Sequence, residues 1–245
     1  MLSRCIRLLL TVVCLWTGCQ SSEDETADAI ESRSIVQKST DLAREWEKQW
    51  LAGVEAFEKS DYGTAEKCFQ KALDIARRLP PNDPQFRLTT SLNNLGRVYS
   101  EQKRFAEAER LYREALAILE QKRQSDPDIE HNLAMTFLAQ SRIDEAEQSF
   151  LRALKLYTKE PKASQQMGRC LFALGQIKLR KGDFEAAERH LNLAIKSFEH
   201  SHPHHLELLP VLAAYAECLK RLDRGAEAEK ALKRMATIRE KTRQH

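Results

Sequence analysis

The chain is poor in residues that break helices. Eight glycines and seven prolines in 245 residues are too few to supply the turns of a many-stranded β fold. It lacks a long hydrophobic run. The almost continuous apolar stretch from Leu8 to Leu15 falls short of the roughly 20 apolar residues that cross a bilayer. It lacks a strong charge of either sign. The balance is +3, of which Arg4 and Arg7 supply two, leaving +1 for the rest; no nucleic-acid partner is expected on this ground. It also lacks the phosphate-loop, dinucleotide, HExxH and GxSxG signatures. Its carboxylates fall at the spacings of exposed helical faces. The expectation is a non-enzyme with no cofactor.

Cysteine pairs of the CxxC kind are missing as well. Cys5, Cys14 and Cys19 sit near the start. Cys68, Cys170 and Cys218 are widely separated and form no closed disulfide framework. They are read as small buried apolar residues, with one disulfide or a reactive thiol as the alternative. The basic run Lys230, Lys233, Arg234, Arg239, Lys241 and Arg243 is interleaved with Glu227, Glu229 and Glu240. It reads as a solvated helix face, or alternatively as a basic docking patch. His200, His202, His204 and His205 are the one metal-like cluster. They straddle Pro203 with no nearby cysteine, and a structural loop with no metal is expected.

What the chain does contain is one pattern five times over. Ala65-Glu66 is followed by Phe69 and Ala72, and Ala108-Glu109 by Tyr112 and Ala115. Ala146-Glu147 is followed by Phe150 and Ala153, Ala187-Glu188 by Leu191 and Ala194, and Ala228-Glu229 by Leu232 and Met235. The lead alanines are 43, 38, 41 and 41 residues apart. Self-similarity at such a period marks a stacked helical array, in which each unit buries its surface on its neighbours. Each unit reads as two antiparallel helices. Leu88, Leu92, Leu95, Val98 and Tyr99 make one amphipathic stripe, and Phe105, Ala108, Leu111, Tyr112, Ala115, Leu116 and Leu119 the next. Alanine lets two helix axes approach while Tyr112 or Phe150 fills the gap a turn away. Gly53, Gly96 and Gly175 do the same on the first helices, and Ala134 and Ala216 hold that place elsewhere.

Prolines mark the joints: Pro80, Pro81 and Pro84, then Pro127, Pro161 and Pro203. Each is expected to open a new first helix. Pro127 stands closer to its lead alanine than the others do, so the third unit's first helix is expected to be about a turn shorter. The fifth unit departs from the pattern, with Gly225 where Tyr62, Phe105 and Phe184 stand and Met235 at the last small position; terminal units are commonly atypical.

These residues resemble the tetratricopeptide repeat. The landmarks fall on Leu92, Leu95, Gly96, Tyr99, Ala108, Tyr112 and Ala115, and on Leu171, Leu174, Gly175, Ala187, Leu191 and Ala194. Ser91-Leu92-Asn93-Asn94-Leu95-Gly96, Tyr112 to Ile118 and the His202-Pro203 joint resemble the longer kinesin-light-chain style of repeat. The resemblance implies an all-α, right-handed α-solenoid of about five helix-turn-helix units over residues 39–245. It also implies a concave groove lined by first helices, which holds a protein or peptide partner. Carried over by position, the groove residues are Trp50, Val54 and Phe57, then Asn93, Asn94 and Arg97, then His131 and Met135, then Phe172 and Gln176. An asparagine amide offers both a donor and an acceptor to a peptide bond. The alternatives are that Asn93 and Asn94 satisfy neighbouring helices, and that Trp50 and Phe57 form a buried N-terminal cap.

The start of the chain resembles a bacterial lipoprotein signal. Arg4 and Arg7 precede the apolar Leu8–Leu15 stretch, as in an export signal, and Thr17-Gly18-Cys19 matches the lipobox. Trp16 departs from it where a leucine is usual. The resemblance implies a signal peptide over 1–18, lipidation of Cys19, and attachment to the cell envelope; Gln20 after the cysteine implies the periplasmic face of the outer membrane. A plain secretory signal or an uncleaved start are the alternatives. Residues 19–38, with Glu23, Asp24, Glu25, Asp28 and Glu31, are expected to be a flexible tether. The function expected is a lipid-anchored scaffold for protein partners; the alternative is a self-assembling structural subunit of an envelope complex.

Overall fold

The computed structural model describes residues 33, 35–80, 86–159, 163–201 and 206–243. Among them are ten helices and no strand. They are α1 (35–58), α2 (Tyr62–Ala76), α3 (Arg87–Glu101), α4 (Phe105–Gln121), α5 (Pro127–Ala139), α6 (Ile143–Tyr157), α7 (Ser164–Lys181), α8 (Phe184–Ser201), α9 (Leu208–Arg221) and α10 (Gly225–Arg243). The expected all-α architecture of helix-turn-helix pairs is present. The folded part starts earlier than position 39, because residues 35–38 already belong to α1. Residues 1–32, including Cys19, lie outside the described residues.

The chain divides into two compact units, one ending at Ser91 and one beginning at Leu92. In the first, Trp46, Ala72 and Ala76 form a core on which Trp50, Ile75 and Leu88 pack. Trp46 and Trp50 stack with ring centroids 5.7 Å apart. Trp46 Nε1 donates to Ser91 Oγ at 2.8 Å, so the indole is buried without orphaning its N–H.

In the second unit α5 packs on α6, α7 on α8 and α9 on α10, while α4 on α5, α6 on α7 and α8 on α9 join one pair to the next. The repeat pattern explains this order. All five lead alanines, Ala65, Ala108, Ala146, Ala187 and Ala228, are 0% exposed. Phe69, Tyr112, Phe150 and Leu191 beside them are buried too. A Cβ on Gly96 would lie 2.7 Å from the Tyr112 ring, and one on Gly53 2.6 Å from Phe69. At Gly175 it would meet Leu191 at 2.7 Å. These glycines are there for space, as read from the sequence. In the fifth unit Leu232 and Met235 are half-buried against the last core cluster.

Helix starts follow local chemistry. Asp61 accepts from Thr64 N (3.1 Å), Asp126 from Asp128 N (2.9 Å) and Asp183 from Ala186 N (3.1 Å), each an N-cap carboxylate. Arginine precedes α4, α6 and α10, and there the guanidinium grips the glutamate three residues on. Arg104 holds Glu107, Arg142 holds Glu145 and Arg224 holds Glu227, anchoring a carboxylate over the helix N-terminus. Arg142 also reaches Glu109 on α4 at 2.5 Å, and Arg224 reaches Glu188 on α8 at 3.2 Å, so these pairs link consecutive second helices. Where Asp183 replaces the arginine, Lys178 and Lys181 hold Glu147 instead.

Pro127 opens α5 as expected, while Pro81, Pro84, Pro161 and Pro203 lie outside the described residues. Two expectations are corrected. At 13 residues, α5 is shorter than α7 by more than a turn but shorter than α9 by only one residue. Cys170 and Cys218 are buried as expected, whereas Cys68 is half-buried; all three are free thiols.

Candidate functional site

Asn93 and Arg97 are four residues apart on α3, and Asp128, His131 and Asn132 share one face of α5. Gln166 and Arg169 share one face of α7. Spacings of three and four put side chains on the same side of a helix. With Tyr157 from the end of α6, these eight residues line a cavity of about 300 Å³ in the second unit. It spans the first helices of three consecutive repeats.

The wall between α3 and α5 is an amide pair: Asn132 Nδ2 donates to Asn93 Oδ1 at 3.0 Å. Two turns further on α3 and one turn further on α5, the hydroxyls of Ser100 and Thr136 pair at 3.0 Å. The floor joins α5 to α6 and α7. Tyr157 donates its hydroxyl to Asp128. His131 Nδ1 lies 3.3 Å from Cys170 Sγ, with its ring edge-to-face on Phe150 at 5.4 Å. Burial pushes the Cys170 thiol up to about 12 and lowers the His131 pKa below its ordinary value. Both shifts favour neutral forms, so the pair is thiol and imidazole at neutral pH, without the thiolate a nucleophile requires. On the far wall Arg169 meets Glu207 at 2.6 Å, and Gln165 donates to the same carboxylate at 2.8 Å.

Three of the groove residues expected from sequence, Asn93, Arg97 and His131, come together here. Asn94 points to the buried side of α3 and accepts from Arg97 at 3.5 Å. Met135 is 48% exposed and Gln176 is exposed; neither lines the cavity. Phe172 is half-buried against the cluster that contains Leu171 and Leu191. In the first unit Trp50 packs on Trp46, Phe57 meets the Tyr62 ring edge-on at 5.6 Å, and Val54 is half-buried.

Five lining residues were missed by sequence reasoning: Asp128, Asn132, Tyr157, Gln166 and Arg169. Asn132 adjoins the expected His131, and its amide was the available signal. On α7 the lining residues Gln166 and Arg169 lie six and three residues before Phe172, because the N-terminal half of this 18-residue helix faces α5. Tyr157 belongs to a second helix, which a rule about first helices does not reach. His200 is exposed on α8; His202, His204 and His205 lie outside the described residues. Among the described residues no group of three or more His, Cys, Asp or Glu could hold a metal ion, and no helix is long and apolar enough to cross a membrane.

A tetratricopeptide-repeat family model matches residues 46–121 and 126–200, more than half of the chain. A search of the curated proteins finds no match. Among solved structures, BtubC (BKLC) from P. vanneervenii is similar, with 21% identity over 86% of this chain and 93% of its own and a TM-score of 0.70. The putative kinesin light chain of Podosopora anserina, with nearly identical TPR-like repeats, matches at 17% identity over 81% and 96%, with a TM-score of 0.64. Pseudomonas aeruginosa PilF matches at 17% identity over 80% and 78%, also with a TM-score of 0.64. At these identities the structures speak for the fold. Five repeats of one helix pair, their buried alanines and the matching family model lead to one conclusion: the chain belongs to the tetratricopeptide-repeat family, whose fold generally mediates protein–protein interaction.

Proposed function

We propose that this protein is a lipid-anchored envelope scaffold that holds an extended segment of a protein partner in the cavity between α3, α5 and α7. The observation that carries the binding part is the convergence of side-chain amides and charged groups from three consecutive first helices on one cavity of about 300 Å³. Amides present donor and acceptor together, which matches a peptide backbone. Binding surfaces of this kind are what stacked repeats build. The anchoring part rests on the sequence alone: Arg4 and Arg7, the Leu8–Leu15 stretch and Thr17-Gly18-Cys19-Gln20. In this reading Cys19 carries the acyl chains on the periplasmic face of the outer membrane. Several chains on one residue hold a protein stably where one chain is marginal.

Two measurements test the two parts separately. Cells grown with labelled palmitate mark the wild type and not Cys19→Ala; label on that variant overturns the anchor. Crosslinking in native membranes captures a partner with the wild type and loses it with Asn93→Ala combined with Asn132→Ala, at unchanged helicity. Unchanged capture overturns the cavity as the binding site.

A further inference from the structure

All eight residues lining the cavity are polar: Asn93, Arg97, Asp128, His131, Asn132, Tyr157, Gln166 and Arg169. No aliphatic, Phe or Trp side chain forms part of its wall, so it offers no pocket for an apolar anchor of the kind that dominates many interfaces. Its charges also cancel. Arg97 and Arg169 are cationic and Asp128 is anionic. Glu207, 2.6 Å from Arg169, supplies the second negative charge. The His131 ring, half-buried and facing the Cys170 thiol, adds none at neutral pH. With formal charges that sum to zero, the cavity as a whole carries no excess of one sign to attract a ligand of net charge, which would also have to give up hydration on entering.

What remains is hydrogen-bonding capacity. Asn132 spends one N–H on Asn93 Oδ1. Asn93 keeps its own NH₂ and Asn132 keeps its side-chain Oδ1, with the Gln166 amide on the next first helix. These are three amides on three successive repeats. Two hold each other in place, so less ordering is needed when a ligand arrives. A volume of about 300 Å³ corresponds to about ten waters at ~30 Å³ each, the room of a short extended stretch of chain.

Resting on the peptide-binding reading above, we infer that the segment bound between Asn93, Asn132 and Gln166 is uncharged and polar, built from Ser, Thr, Asn, Gln or Gly. It is held by amide hydrogen bonds, not by an acidic cluster or a buried aromatic.

The test uses the full chain, purified from membranes in detergent, and a phage-displayed library of random peptides. The library is panned in parallel on the wild type and on Asn93→Ala/Asn132→Ala, matched by far-ultraviolet circular dichroism. The enriched peptides are then synthesised and their Kd is measured at low and at moderate NaCl. The expected result is a Ser/Thr/Asn/Gln/Gly consensus whose Kd changes less than about twofold with salt, because there is no net charge to screen. The double variant binds it about tenfold more weakly, and Gln166→Ala about threefold more weakly, as loss of hydrogen bonds predicts. An acidic, basic or aromatic-anchored consensus that still depends on Asn93 and Asn132 overturns the uncharged ligand and leaves the peptide-binding cavity standing. No enrichment on the wild type over the double variant overturns the cavity reading itself.

Discussion

Asn132 on α5 donates to Asn93 on α3 across 3.0 Å, tying together the first helices of two consecutive repeats. The bond is made on the cavity wall, between residues 39 positions apart in the chain.

Asn93→Ala and Asn132→Ala are each expected to destabilise the fold by about 1 kcal/mol, the net worth of an ordinary hydrogen bond. The double variant is expected to cost less than the sum of the two, because either single change already removes the shared bond. Urea unfolding of the four proteins measures this coupling; strict additivity would show that the pair contributes nothing.

Gly96→Ala places a Cβ 2.7 Å from Tyr112 Cε1. Tyr112 is buried and cannot yield without moving its neighbours, so about 1–3 kcal/mol is lost to overpacking. Adding Tyr112→Leu relieves the clash and recovers part of the loss. A thermal melt in which Gly96→Ala equals the wild type would disprove the close approach.

The turn between the two helices of every repeat passes through one left-handed residue, just before the cap. These are Ser60 (φ 59°), Lys103 (62°), Ser141 (61°), Gly182 (75°) and Asp223 (57°). Only one of the five is glycine. For other residues this conformation costs about 1–2 kcal/mol, while glycine gives back about 0.4–1 kcal/mol through a freer unfolded chain. Ser141→Gly should therefore stabilise by up to about 1 kcal/mol and Gly182→Ala should destabilise by a similar amount. Denaturant midpoints that shift in the same direction for both would contradict the shared turn.

Stability should fall at both ends of the pH range. Unfolded His131 takes a proton near its ordinary value of 6.5, whereas burial holds the folded imidazole neutral to lower pH. The unfolded state thus binds more protons, and stability is lost as pH drops through 6.5 and below. His190, also lowered by burial, acts in the same direction, so His131→Gln flattens the acid limb only in part. At the alkaline end unfolded Cys170 ionises near 9.0 and the buried thiol near 12, so stability falls as pH rises past 9. Cys170→Ala is expected to reduce that slope; unfolding curves at pH 8 and pH 10 with identical slopes for both proteins would exclude the buried thiol as its source.

The repeat was legible because its signal is local. A lead alanine, a large apolar residue one turn on and, in four of the five units, a small residue a turn after that describe one helix face, and the lead alanine is buried in every unit. Ala65, Ala108, Ala146, Ala187 and Ala228 are accordingly all inaccessible, and Gly96 was recognisable from the space Tyr112 requires. The turns were less legible. Three of the five left-handed positions, Ser60, Lys103 and Ser141, hold residues that do not advertise that conformation as Gly182 and Asp223 do.

The sequence alone determined the fold class, the pairing of helices and the close contacts at small residues, because each depends on periodicity within about 40 residues. The cavity was decided by the tertiary structure. Asn93, Asn132, Tyr157 and Gln166 meet only because α3, α5, α6 and α7 settle at particular axial offsets, and those offsets are set by side-chain packing between helices that no one helix's pattern specifies.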